Sequence, residues 1–202
     1  LMDRVALHYY TLSASLGAIM AGAYSLGMVV LKKSLDASEM QLGVISAIGP
    51  AALLLGIFGG ELVRGRDRRP AIALFGAISR GAFLLFSFVQ SAWAYIAVSS
   101  VFFCGNALLA PAVTTLWQSN ISSARRNALW GLTVSVTTVI SVTVAFGTGI
   151  LLDIDNMAYR WVFPVAGVLG LLSLLVLVKM PHRGRYKQTK DTAHSVKSVV
   201  VK

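Results

Sequence analysis

Charged residues are scarce in this chain, and acidic residues are the scarcest of them. Of its 202 residues 13% are charged, with 8 Asp and Glu against 18 Lys and Arg and a net charge of +10. A soluble domain carries about 25% charged residues. Because 56% of the residues are also hydrophobic, the composition excludes an ordinary soluble domain and indicates a chain that lies in lipid.

Residues that catalyse reactions or bind metal ions are also few. Cys104 is the single cysteine, and it lies inside an apolar run. The histidines His8, His182 and His194 are far apart, with no cysteine or carboxylate at the spacing of metal ligands. The sequence contains no nucleophile elbow, phosphate-binding loop or zinc-protease motif. We therefore expect no enzymatic activity, no cofactor and no metal site.

Long apolar runs make up most of the chain. Six of them have about 20 residues, and a helix of that length crosses the ~30 Å hydrocarbon core of a bilayer. The sequence thus predicts an all-α integral membrane protein, a bundle of six transmembrane helices. Its spans 1 to 6 are predicted at about Leu7–Leu31, Gln41–Val63, Ala71–Val89, Ala92–Trp117, Ala128–Leu152 and Trp161–Val178. We expect Pro50 to bend span 2, and span 1 to be retained because no signal-peptide cleavage site follows it.

Basic residues are concentrated in alternate connections between the predicted spans. Such connections stay on the cytoplasmic side of a membrane, so both termini are predicted to be cytoplasmic. The basic segments are Gly59–Pro70 with Arg64, Arg66, Arg68 and Arg69, Gln118–Asn127 with Arg125 and Arg126, and the tail. The chain is predicted to divide into a cytoplasmic lead (1–6), a six-helix transmembrane bundle (7–180) and a basic cytoplasmic tail or inter-bundle linker (181–202).

The position of the basic residues also predicts what they bind. They lie in the gaps between apolar runs, where they meet the anionic headgroups of a lipid bilayer. We therefore expect no binding of nucleic acid. A compact multi-pass chain without long loops is typical of a bacterial inner membrane, which is the localisation that we predict.

Arg80 is the sharpest single signal in the sequence, because it lies about nine residues into span 3. An arginine at that depth costs at least about 2.5–3.5 kcal/mol on insertion scales, so it is expected to face a cavity or a partner. It is a candidate contact for an anion or substrate, or a charge partner for Glu61 near the end of span 2. The alternative is that Arg80 extends toward the cytoplasm or bonds helix carbonyls.

Polar side chains within the other spans are candidates for lining a substrate pathway. Thr133, Thr137, Ser141 and Thr148 fall within an arc of about 80° on span 5 at 100° per residue. The alternative is that these hydroxyls bond their own helix or a neighbouring one. With Asn106 in span 4 and Tyr24 in span 1, the candidate pathway comprises Tyr24, Arg80, Asn106, Thr137 and Ser141.

The connection between spans 2 and 3 resembles a signature of the major facilitator superfamily. That family has G-x-L-x-D-R-x-G-R-[RK] at this place, and Gly60, Leu62, Arg68 and Arg69 match it. Arg64 stands where the family has its acid and Asp67 where it has glycine. The resemblance implies a conformational-gating loop made of Gly60, Leu62, Arg64, Asp67, Arg68 and Arg69, with Asp67 as a displaced acid.

Two further stretches resemble the amino-terminal half of the same family. Gly105, Pro111, Arg125-Arg126 and Gly131 are similar to its segment from helix four to helix five, and Tyr159-Arg160-Trp161 to its entry to helix six. The antiporter signature of helix five is echoed only by Gly147 and Gly149, without the proline. The resemblance therefore does not support proton-coupled drug antiport.

The resemblance implies secondary active transport of a small solute by alternating access. One six-helix bundle encloses no two-bundle path, so a second bundle follows in the same chain, two copies form a homodimer, or the sequence is a fragment. The alternative function is a non-transporting membrane scaffold or sensor that docks through its basic tail.

Overall fold

The computed structural model of the protein describes residues 2–63, 68–121 and 123–179. Within these ranges the regular elements are helices, with no strand. The helices are α1 (Met2–Tyr24), α2 (Gly27–Lys33), α3 (Glu39–Leu53), α4 (Leu55–Val63), α5 (Arg68–Leu85), α6 (Ala92–Asn120), α7 (Ser123–Ile154) and α8 (Tyr159–Val178), with a 3₁₀ turn at Phe86–Phe88.

Six helical segments in the described ranges are long and apolar enough to cross a membrane. Spans 1 and 2 each consist of two helices, α1 with α2 and α3 with α4, and spans 3 to 6 correspond to α5 to α8. The segments are Leu7–Lys33, Glu39–Leu62, Arg69–Phe88, Ala92–Asn120, Arg126–Ile154 and Tyr159–Val178. The predicted all-helical, six-span architecture is confirmed, whereas the side of the membrane that holds the termini stays a prediction.

Spans 1 and 2 are both interrupted. In span 1 the break lies at Ser25 and Leu26, and the Ser25 hydroxyl donates to the carbonyl of Gly22 at 2.7 Å. The sequence predicts the bend of span 2 at Pro50, but the structure interrupts the helix at Leu54. There the Leu54 N–H bonds to the carbonyl of Ala51 at 3.2 Å, which is the tighter spacing of a 3₁₀ turn.

The spans pack in an open arc with the order 5, 1, 6, 3, 4, 2. Span 1 lies between spans 5 and 6, span 3 between spans 6 and 4, and span 2 against span 4, while spans 1 and 4 touch little. Spans 5 and 2 are therefore the two ends of the arc. In span 5, 6% of the most apolar 18-residue stretch is buried, and in span 2, 17%. The corresponding buried share in the other four spans is 33–39%.

Two buried clusters occupy opposite ends of the bundle. At one end, which we call the phenylalanine end, the Tyr24 ring lies 5.2–6.3 Å, centroid to centroid, from five phenylalanine rings. At the other end, the tryptophan end, Tyr10 packs on Trp117 with centroids 4.2 Å apart, above a buried apolar layer that includes Leu116 and Leu177. Ser79, Gly105 and Gly170 lie in the region between the two clusters.

Close backbone contact holds span 1 to span 5. A Cβ on Gly22 would lie 2.9 Å from the Cα of Ser141 and closer still to its carbonyl oxygen, so only glycine fits there. In lipid no hydrophobic driving force brings two helices together. Small residues at the interface allow the close packing that does so.

We expect Gly22→Ala to lower the stability of the bundle by about 1–3 kcal/mol, because the added methyl forces the two backbones apart. Gly147→Ala is the matched control, since no atom lies within 4 Å of the Cβ position of Gly147 on span 5. Thermal unfolding of the purified protein in detergent measures both. Equal unfolding temperatures for the two variants would contradict the close contact.

Candidate functional site

Contacts between spans 3 and 4 bring Arg80 and Asn106 to the same depth of the bundle. Ser79, the residue before Arg80, packs on Gly105, the residue before Asn106, with the Ser79 Cβ 2.9 Å from the Cβ position of Gly105. The Ser79 hydroxyl also donates to a carbonyl of span 4 at 3.1 Å. The two candidate residues therefore follow a shared contact point on adjacent helices.

Contacts with span 1 place residues of spans 5 and 6 at the same depth. The Cβ position of Gly170 is 2.7 Å from the Met20 sulfur and 3.4 Å from the Cγ and Cδ of Arg80. Ser141 of span 5 donates to the carbonyl of Ala18, half a turn from Met20, at 2.9 Å. Arg80, Asn106 and Ser141 thus share one level near the middle of their spans, which we call the middle layer.

The guanidinium of Arg80 is held inside the bundle without a countercharge. Its Nη1 is buried and has no hydrogen-bond partner, and among the described residues no carboxylate pairs with it. The ion pairs Lys32–Glu39 at 2.6 Å and Lys33–Asp153 at 2.8 Å lie at the phenylalanine end. Glu61 is exposed near the end of α4, and its pairing with Arg80 stays a prediction.

A groove of about 420 Å³ runs between spans 1 and 5. Thr137 and Ser141, two of the candidate pathway residues, line it together with Thr133. The facing wall consists of small residues of span 1, namely Ala14, Gly17, Ala18 and Ala21, and Tyr10 and Trp130 close one end. No charged residue lines the groove. Thr148, the fourth member of the predicted stripe, is 3% exposed and does not contribute.

The hydroxyls of the groove bond to helix backbone. Thr133 donates to Leu129 at 2.9 Å and Thr137 to Val134 at 3.0 Å within span 5, whereas Ser141 bonds across to span 1. These bonds agree with the alternative stated from the sequence, in which the hydroxyls bond their own helix or a neighbouring one. They use the hydroxyl protons and leave lone pairs on each oxygen, so the wall presents hydrogen-bond acceptors to the groove.

Tyr24 lies outside the groove, in the ring cluster of the phenylalanine end. Its ring meets Phe103 of span 4 edge to face, with centroids 5.7 Å apart. Asn106 is exposed and lies one turn beyond Phe103 on the same face of span 4. Spans 1 and 4 touch little apart from ring contacts at the two ends of the bundle. We call the region between these two contacts the cleft, and Asn106 lies on span 4 at that depth. Tyr24 and Asn106 thus lie at the top and middle of that cleft.

Two of the six residues of the predicted gating loop lie outside the described residues. Arg64 and Asp67 fall in the gap, and the side chain of Arg68 is not described. Gly60 has no atom within 4 Å of its Cβ position, and Leu62 and Arg69 are exposed. The gating role of this loop stays a prediction, as does the basic tail, which lies beyond the described ranges.

The structure adds contacts that the sequence did not indicate. Ser13 and Ser173 bond reciprocally, each hydroxyl donating to the other's backbone carbonyl at 2.8 and 2.7 Å. Gly170 makes room for the stem of Arg80. The spacing of Gly167 and Gly170 in span 6 is a signal for close helix approach, but nothing in the sequence names the partner. Among the described residues, no group of three His, Cys, Asp or Glu is placed to hold a metal ion.

Six apolar spans around a polar middle layer define an integral multi-pass membrane protein of the transporter class. Residues 9–201 match the sequence model of the Major Facilitator Superfamily, and the chain belongs to that family. The members of this family are transporters of small solutes, not enzymes, so the chain serves membrane transport of a solute. No curated protein matches the chain.

We expect Ser141→Ala to destabilise the contact between spans 1 and 5 by about 0.6 kcal/mol, and by at most about 1.7, the range for hydrogen bonds between membrane helices. Ser135→Ala is the matched control, because Ser135 is exposed and bonds its own helix at Gly131. Unfolding in mixed micelles of increasing SDS measures both. A loss in Ser135→Ala as large as that in Ser141→Ala would contradict the role of this hydrogen bond.

Proposed function

We propose that the chain is one half of a secondary active transporter, which moves a small solute by alternating access between two six-helix bundles. The observation that carries the proposal is the open arc of spans. Spans 2 and 5 each pack mainly against one neighbour, and spans 1 and 4 touch little between the ring contacts at the two ends of the bundle. A second bundle placed over this face would convert the cleft and the groove into an enclosed path.

The polarity of the uncovered face supports this arrangement. Asn106 and Arg80 lie at the depth of the cleft, and Thr137 and Ser141 line the groove. Polar groups at the middle of a membrane normally face a bundle interior or a water-filled cavity, because lipid satisfies none of them. Covered by a second bundle, these residues face the solute instead of lipid.

The second bundle has two possible sources in this proposal. It follows in the same polypeptide, with residues 181–202 as the linker, or it belongs to a second copy of the chain. In either case both termini of the bundle lie in the cytoplasm, as the basic connections indicate. The gating loop between spans 2 and 3 then lies at the cytoplasmic mouth of the path, in a plasma membrane such as the bacterial inner membrane.

The proposal predicts that the groove side of span 5 is in contact with water. In a Cys104→Ser background, Thr137→Cys is expected to react with a membrane-impermeant maleimide in native membranes at least about 10-fold faster than Val139→Cys. Val139 is the matched control, since it is 67% exposed but lies about 200° around the helix from Thr137. Mass spectrometry of the labelled protein gives both rates.

The same labelling experiment separates the transporter from a scaffold or sensor. A scaffold needs no water-filled path, so both cysteines would then react equally slowly. Equal rates, fast or slow, would contradict the proposed path along span 5. The test requires no knowledge of the solute.

A further inference from the structure

We propose that the transported solute is an anion and that Arg80 is the residue that binds its negative charge. The inference rests on the proposed function and names the chemical class of the solute. It depends on three properties: the isolated charge of Arg80, the fixed position of its side chain and the chemistry of the groups around it.

The first property is the isolation of the charge. Arg80 is residue 12 of the 20 in the segment Arg69–Phe88, and no other charged residue lies in the inner part of a described span. The eight acidic residues all lie in connections, at span ends or in the terminal segments. Within the described ranges, the bundle therefore holds one positive charge at mid-depth, and no negative charge pairs with it there.

The second property is the fixed position of the side chain. The stem of Arg80 packs against Gly170 of span 6, where the sulfur of Met20 also lies, so contacts with two other spans hold it in place. The buried Nη1 is not shared with a helix carbonyl or a side chain. The guanidinium is thus a set of hydrogen-bond donors with unused capacity in a site from which most water is excluded.

The third property is the chemistry of the neighbours. An uncompensated cation in a medium of low dielectric constant is stabilised by an anion, gains little from a neutral solute and repels a cation. The planar fork of arginine matches the two oxygens of a carboxylate or phosphate. Asn106, which is exposed on span 4 at the same depth, carries two further N–H donors.

Binding of simple anions to the purified protein in detergent tests the inference. The probes are the sodium salts of acetate, inorganic phosphate and chloride at low millimolar concentration, with choline and glycerol as cationic and neutral probes. At 100 times its dissociation constant, a bound anion is expected to raise the unfolding temperature of the native protein by roughly 5–10 °C. Comparing the shifts in unfolding temperature with acetate and with phosphate distinguishes a carboxylate from a phosphate. A shift with chloride alone would overturn the assignment of Arg80 to a carboxylate or phosphate.

Two variants connect the effect to Arg80. Arg80→Met keeps the length of the stem without the charge, and it is expected to lose the shift while unfolding no earlier than the native protein without anion. Lys33→Gln removes one positive charge at the phenylalanine end, where Lys33 pairs with Asp153, and is expected to keep the shift. Retention of the full shift in a folded Arg80→Met variant would overturn the inference.

A third variant keeps the inference testable if Arg80→Met does not fold. Arg80→Lys retains the charge but not the fork, and its apparent affinity for the bound anion is expected to fall about 10-fold. An equal shift in native protein, Arg80→Met and Lys33→Gln, or no shift with any anion, would overturn the inference. If fast labelling of Thr137→Cys accompanies that result, the transport path stands and the anionic solute alone is wrong.

Discussion

The close packing of span 1 is the constraint on which the rest of the bundle depends. Gly22 admits the backbone of span 5 at Ser141, while Ser13 on the same helix bonds reciprocally with Ser173 of span 6. In lipid, where apolar surfaces gain nothing by meeting, contacts of this kind decide which helices associate. Span 1 holds spans 5 and 6 on two of its sides, and toward span 4 it makes ring contacts at the two ends of the bundle and few contacts between them.

The polar side chains discussed above lie in the middle layer of the bundle. Apolar ring clusters occupy both ends, and the residues that we propose as solute contacts, Arg80, Asn106 and Ser141, lie in the middle layer between them. Hydroxyls that bond backbone shape the wall of the groove, and one arginine supplies the charge. The two kinds of group differ in their hydrogen bonds. The hydroxyl of Ser141 donates to a carbonyl of the bundle, whereas Nη1 of Arg80 has no acceptor.

The sequence predicted the features that depend on composition along a single helix. The six spans, the depth of Arg80 and the polar face of span 5 follow from run lengths and from 100° per residue, and the described part of the chain has six such spans. The bend of span 2 at Pro50 stays a prediction, since Pro50 lies inside α3, and the interruptions of span 2 at Leu54 and of span 1 at Ser25 and Leu26 were not predicted. Gly170 and Met20, which shape the space around Arg80, lie on other spans, and no single sequence shows which spans are adjacent.

The central claim is that this bundle transports only together with a second one. The most direct measurement is native mass spectrometry of the protein released from its own membrane. The account predicts a particle with two six-helix bundles, either one longer polypeptide or two copies of the 21.5 kDa chain. A single particle of 21.5 kDa with six spans, stable in its native lipids, would contradict it.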